Sequence, residues 1–154
     1  NPVVGIAYDK GFLNIYVEKY LMNREIGFGR RLLQIFEEEG LSYEHTPSGI
    51  DSINVIFRAD QLNEEKEARL LKRIESELHP DKVTLERNIA LIMIVGEGMN
   101  QTIGVAAKAV TAIQNANVNI AMINQGSSEV SMMFGVKESD AKKAVKSIYE
   151  AFFA

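Results

Sequence analysis

Two loops in this chain carry the same residues ahead of what reads as a helix. Met22-Asn23 leads to Ile26-Gly27, and Met99-Asn100 leads to Ile103-Gly104 at the same spacing. Glycine at a helix start lets a ligand approach the backbone N–H groups that lack an acceptor in the first turn. Those donors and the helix dipole favour an anion, such as an amino-acid carboxylate. Across from the first loop, an edge strand carries Glu44, His45 and Thr46, and Ser48, Gly49, Ile50 and Asp51 form a turn. Glu44 and Asp51 can receive an ammonium group. Donors on one side and carboxylates on the other suit a zwitterion. Loop glycines kept only for tight packing would give the same pattern, and the residues alone leave both readings open.

Other chemistry fares worse. His45 and His79 lie far apart in different elements, and the chain has no cysteine, so no metal set is visible. His79 before Pro80 reads as a helix end. No phosphate loop of the Gly-x-x-x-x-Gly-Lys-Ser/Thr type occurs. Gly96-Glu97-Gly98 starts like a dinucleotide fingerprint, but Gln101 stands where its third glycine belongs. The acidic runs Glu37-Glu38-Glu39 and Glu64, Glu65, Glu67 read as solvated helix ends. No nucleophile or acid–base pair emerges, so the chain reads as non-catalytic.

Composition bounds the partners. The chain has 154 residues, 46% hydrophobic and 25% charged, enough to bury a core. A net charge of −4 gives no reason to expect nucleic acid or an anionic membrane. The absence of cysteine fits a cytoplasmic protein, and no apolar run is long enough to span a bilayer. The start at Asn1-Pro2 without a methionine suggests a piece of a longer polypeptide.

The elements that position the loops repeat with them. Met22 recurs as Met99, 77 positions on, as do Gly27 as Gly104, Gly49 as Gly126 and Phe57 as Phe134, with no gap needed. In the first copy, strands are expected at residues 3–8 and 12–17, separated by a Lys10-Gly11 turn. A helix is expected at 27–39, a weak strand at 41–46, a better strand at 52–57, a helix capped by Asn63, and a strand at 83–86. The second copy offers strands at 89–95, 119–124 and 130–136, a turn at 125–128, a helix at 103–116, and a last helix capped by Ser139 or Asp140. Each copy reads β-α-β-β-α, and a further strand closes the first. At the same offset Ile6 and Tyr8 answer to Val83 and Leu85, so the N-terminal strand is expected to complete the second module. The fold class is α+β, with two ferredoxin-like βαββαβ modules packed side by side. Residues 9–87 form the first, and 88–154 with strand 2–8 the second. Open sheet edges in such modules predict a homodimer.

These residues resemble a known family, the C-terminal regulatory region of aspartokinase, a pair of ACT modules. The resemblance covers essentially the whole chain. It is strongest in Val95-Gly96-Glu97-Gly98-Met99, in Gly104-Val105-Ala106-Ala107-Lys108, and in the run from Val118 through Asn124-Gln125-Gly126-Ser127-Ser128-Glu129. The opening Val4-Gly5-Ile6-Ala7-Tyr8-Asp9-Lys10 resembles the segment that links the family's kinase domain to its first ACT module. The resemblance implies allosteric feedback inhibition by an aspartate-family end product, lysine first, with threonine alongside or threonine or methionine instead. It implies a kinase domain N-terminal to Asn1 that phosphorylates the aspartate β-carboxylate, so ATP and Mg2+ are expected only there and no cofactor here. Many members carry an Asp-x-Pro-Gly loop; Met22-Asn23-Arg24-Glu25-Ile26-Gly27-Phe28-Gly29 is more similar to lysine-sensitive single-chain types. By position, Met22, Asn23, Ile26, Gly27, Phe28 and Gly29 would line the effector site. Glu44 would take the acidic role, with Ser48, Gly49 and Ile50 closing the turn. The family's Thr-Ser-Glu in that turn is Ser48-Gly49-Ile50 here, so Asp51 or Glu25 would substitute for the missing acid. Asn119 and Ile120 resemble positions between ACT modules, completing the effector site or packing in the interface. A purely structural dimerisation module with no ligand is the alternative.

Overall fold

The computed structural model describes residues 1–126 and 130–154. These form two compact units, Gly11–Arg87 and Asn1–Lys10 with Asn88–Ala154.

In the unit Gly11–Arg87, strand β2 (Ser52–Arg58) pairs antiparallel with the second half of β1 (Gly5–Glu18), and β1 neighbours β3 (Lys82–Val95). Leu13 faces Phe57, Ile15 faces Val55 and Val17 faces Ile53. A strand turns alternate side chains to one face, and these six meet Leu32, Ile35 and Phe36 of α1 (Phe28–Glu38) and Leu70, Ile74 and Leu78 of α2 (Glu64–Leu78). Phe36 and Phe57 meet edge to face at 5.2 Å. Each buried Leu, Ile or Phe contributes about 1.5–3 kcal/mol, so this face dominates the unit's stability. Asn63 caps α2 through its side chain, which accepts from Lys66 N–H at 2.7 Å. The helix stops where His79 turns left-handed, φ 51°, before Pro80.

The acidic end of α1 is not simply solvated. Glu39 accepts from Arg69 Nε at 2.6 Å and Arg73 Nη1 at 3.2 Å, and Arg73 also holds Glu38 and Glu77. The Arg69 hydrogen bond, then that of Arg73, holds the Glu39 carboxyl below its ordinary range.

The second unit joins the first half of β1 to β3, β5 (Ser131–Lys137) and β4 (Met122–Asn124), in the order β1-β3-β5-β4. Its core gathers Ala90, Ile92, Ile94, Met132, Phe134 and Val136 under α3 (Val105–Asn115) and α4 (Ala141–Phe153). Small residues let these helices approach closely, and Ser147 Oγ donates to the Ala112 carbonyl at 2.6 Å. The N-terminal strand completes this module, with Val4 N–H donating to the Val95 carbonyl at 2.8 Å. Ile6 packs against the core, whereas Tyr8 stays exposed. Gly96 has a packing reason, because a Cβ there would collide with the Pro2 carbonyl.

Several sequence expectations need correction. Lys10-Gly11 is no turn, since β1 runs unbroken from Gly5 to Glu18 with Gly11 left-handed inside it. β3 is likewise one strand, and Asn88 takes the left-handed conformation 77 positions after Gly11. Residues 41–46 form no strand beyond a bridge between His45 and Ile56, and β4 is shorter than expected. Asp140 precedes α4, but its side chain makes no capping bond. The gap-free repeat also fails. The offset of 77 holds through α3 and the Met122 pairing, but Val55 answers to Phe134 and Phe57 to Val136, 79 positions on. Two extra residues therefore lie between Asn124 and Ser131, and the Phe57–Phe134 identity is out of register. Ser127, Ser128 and Glu129 of that segment, including part of the expected turn, lie outside the described residues.

Two outcomes follow from this packing. Replacing Gly96 by Ala should displace the N-terminal segment, and amide hydrogen exchange at Val4 should accelerate while β5 stays protected. Because the Glu39 pKa is depressed in the fold, its contribution is present above the unfolded carboxyl value and is lost as pH falls through the folded one. The stability gap between the native chain and Arg73→Ala, read from urea midpoints, should therefore be widest near neutrality and shrink below about pH 4.

Candidate functional site

The first repeated loop leaves β1 at Glu18, makes a 3-10 turn at Met22–Arg24, and enters α1 through Gly27. Gly27 is left-handed, φ 82°, a conformation that L side chains adopt only under strain. Phe28 N–H is held by the Glu25 carbonyl at 3.2 Å, and Arg31 N–H makes the first helical bond, to the Gly27 carbonyl. By helix geometry Gly29 and Arg30 N–H have no acceptor within the helix.

The loop is tied to the turn that faces it. Asn23 N–H donates to the Ile50 carbonyl at 3.1 Å, and Lys19 N–H to the Asp51 carbonyl at 2.9 Å. The Asp51 carboxylate accepts from Leu21 N–H at 2.9 Å, an arrangement that supports Leu21 in its left-handed conformation. Gly49 N–H closes its own turn onto the Ser52 carbonyl at 2.8 Å. Met22 is buried, Phe28 is buried, and Ile26 is 95% exposed at the tip.

The acids expected to hold an ammonium group all have partners. Glu25 accepts from Lys19 Nζ at 2.8 Å and Arg31 Nη2 at 2.9 Å, and the Lys19 hydrogen bond chiefly keeps its carboxyl below the ordinary range. Glu44 lies 3.7 Å from Arg58 Nε, a loose and exposed pairing that leaves its carboxylate accessible. Met22, Asn23, Glu25, Ile26, Gly27, Phe28, Gly29, Ser48, Gly49, Ile50 and Asp51 thus belong to one loop and the turn bonded to it. Glu44 sits on the bridged segment beside β2, where its N–H donates to the Ile56 carbonyl at 2.7 Å. Asn119 and Ile120 belong to the other unit and line an open groove there with Val110, Gln114, Asn117 and Val118.

The corresponding loop in that unit follows a similar path, but Gly98 is right-handed where Leu21 is left-handed. A 3-10 turn spans Met99–Gln101, Gly104 is left-handed at φ 90°, and α3 begins at Val105. Its side chains differ, with Gly96 for Lys19, Thr102 for Glu25 and Val105 for Phe28. Sequence reasoning missed Lys19 and Arg31, and a comparison of the two copies position by position would have exposed them. Among the described residues no group of three or more His, Cys, Asp or Glu is placed to hold a metal ion, and no helix is long and apolar enough to cross a membrane.

This arrangement, two βαββαβ modules each opening a helix at a left-handed glycine, defines a tandem of ACT-type modules. The ACT domain family matches residues 92–152. The chain is 60% identical over 99% of its length to aspartokinase 3 of Bacillus subtilis and spans 34% of that protein. Among solved structures it superimposes on Clostridium acetobutylicum aspartate kinase with a TM-score of 0.92 at 44% identity, over 97% of this chain and 34% of that one. It shares its fold with the regulatory subunit of aspartate kinase from Thermus flavus, at TM-score 0.85 and 23% identity over 99% of both chains. It also shares its fold with E. coli aspartokinase III in complex with lysine and aspartate, at TM-score 0.79 and 20% identity over 99% of this chain and 34% of that one. Over nearly its whole length the chain is thus similar to the ACT-domain regulatory region of aspartokinases.

The loop-to-turn tie can be tested directly. Asp51→Ala removes the acceptor for Leu21 N–H and should cost about 1 kcal/mol in urea unfolding. Asp51→Asn keeps an oxygen acceptor and should recover most of that loss.

Proposed function

We propose that the unit Gly11–Arg87 carries an amino-acid effector site and that lysine is the effector, acting as a feedback inhibitor of an aspartate kinase. The observation that carries this reading is the start of α1, where free N–H donors behind left-handed Gly27 lie in a loop bonded to the turn at Ile50 and Asp51. The effector carboxylate sits on the Gly29 and Arg30 N–H groups. The buried side chains of Met22 and Phe28 back the loop, and Glu44, the most accessible of the candidate acids, receives an ammonium group. The lysine complex of the E. coli relative supports the choice of effector. The activity under control is ATP- and Mg2+-dependent phosphorylation of aspartate by a kinase domain of the same protein, and the regulatory region also joins a homodimer in the cytoplasm. Binding inhibits only if lysine prefers one arrangement of the modules over another.

A second reading has one observation in its favour. Glu25 and Asp51 are both engaged within the loop, and the turn Ser48-Gly49-Ile50 offers no acid. An effector without a cationic side chain, threonine or methionine, needs no such acid, and a purely structural dimerisation module needs no effector.

Thermal unfolding with lysine, threonine, methionine or aspartate separates these readings. A ligand at 100 times its Kd stabilises the fold by about 2.7 kcal/mol, about 5 °C in midpoint for a chain of this size. The expected outcome is a shift with lysine that Glu44→Ala abolishes without lowering the ligand-free midpoint. A shift with threonine or methionine alone replaces the effector, and no shift with any of them favours the structural module.

A further inference from the structure

We infer that Lys19 is a positioning residue that couples the loop opening α1 to the C-terminal end of α2. Its ammonium donates to Glu25 Oε1 at 2.8 Å and to the Leu78 carbonyl at 3.0 Å, and lies 5.4 Å from the centre of the Phe28 ring. A carboxylate, a carbonyl and an aromatic face together make a complete site for a primary ammonium. Here the chain fills that site with its own side chain, which is 22% exposed.

The partners belong to three separate pieces of the unit. Glu25 lies in the loop and is also gripped by Arg31 of α1 at 2.9 Å. Leu78 is the last residue of α2, where the helix dipole is negative and favours a cation. A second tie reaches the same connection, because Tyr20 N–H donates to Asp81 Oδ2 at 2.7 Å and Asp81 N–H to the Glu18 carbonyl at 2.8 Å. Movement of residues 22–29 is therefore felt at the α2–β3 connection through Lys19.

The second unit acts as an internal control. It builds the same 3-10 turn, left-handed glycine and eleven-residue helix with Gly96 and Thr102 in place of Lys19 and Glu25. The 3-10 turn and the left-handed glycine thus do not require the charges, although the residue before the turn is left-handed at Leu21 and right-handed at Gly98. The presence of the charges in one copy alone points to a task specific to that copy, and the effect of the coupling on ligand affinity rests on the reading of this loop as the effector loop.

The test uses Lys19→Met, which keeps much of the stem, and Lys19→Ala, with two readouts on the whole chain. Without ligand, hydrogen exchange at Asn23, Glu25 and His79 N–H should accelerate about tenfold in both variants while β2 amides and the thermal midpoint hold. Propylammonium at about 50 mM should restore protection in Lys19→Ala by refilling the site, and leave Lys19→Met unchanged. Calorimetry should show lysine affinity about tenfold weaker in Lys19→Met. Exchange in both variants within twofold of the native chain would overturn the coupling, as would failure of propylammonium to rescue. If the native chain binds no lysine but the exchange pattern and rescue appear, the effector reading fails and the coupling stands.

Discussion

The left-handed backbone at Gly27 and Gly104 sets the rest of each module. It sits between a 3-10 turn and a helix, and it fixes the direction in which the helix leaves its strand. An L side chain forced into that conformation costs about 1–2 kcal/mol, so the position is closed to most residues. The consequence extends well beyond the loop. With the helix axis fixed, Leu32, Ile35 and Phe36 descend on the strand face of Leu13, Ile15 and Val17, and Ala109, Ala112 and Ile113 do the same over Ala90, Ile92 and Ile94. The same turn leaves the first N–H groups of α1 pointing away from the core, where a ligand can use them.

What the two copies share is most of their backbone, Leu21 against Gly98 being an exception, and what separates them is chiefly charge. Left-handed residues recur at Gly11 and Asn88, Gly27 and Gly104, Gly40 and Asn117. Asn replaces Gly twice because its short polar side chain tolerates that conformation better than most. The helix pairs, by contrast, are held by different means. α1 and α2 are laced by Arg69 and Arg73 onto Glu38 and Glu39, whereas α3 and α4 meet through alanines and a serine hydroxyl on a carbonyl. One pair draws on electrostatics that acid weakens; the other draws on close packing that pH does not touch.

The sequence was legible where local physics decides. The repeated Met-Asn and Ile-Gly pairs marked both loops, apolar spacing marked α1, α2 and α4, small residues marked α3, and Asn63 and His79-Pro80 marked the ends of α2. It misled where one residue has two uses. Gly11 reads as a turn but serves as a left-handed residue inside a long strand. Phe57 and Phe134 are identical, yet the register pairs them with different neighbours because two residues were added in a loop. A chance identity outweighed the register, which only strand pairing can fix. The site was half legible for a related reason. Backbone donors follow from the glycines, but whether an acid is free depends on partners such as Lys19 and Arg31, whose convergence on Glu25 only the fold creates.

That convergence changes what the loop can recognise. Glu25 spends its charge on two cations, so Lys19, Glu25 and Arg31 together leave the start of α1 net positive, with Arg24 and Arg30 adding to it. The helix dipole has the same sign. A carboxylate is therefore favoured at this end by several weak terms that add, whereas an ammonium must find Glu44, itself shared with Arg58. Any amino acid brings the carboxylate, so that end supplies affinity but no discrimination. In the proposed site, choice among amino acids falls to the side-chain end, where an exposed ion pair contributes only about 0–1 kcal/mol. One such pair is too weak to reject threonine in favour of lysine by a large factor. Strong selectivity then requires contacts that exclude water around the side chain, and this loop and its turn expose Tyr20, Leu21, Ile26 and Ile50 as apolar surface.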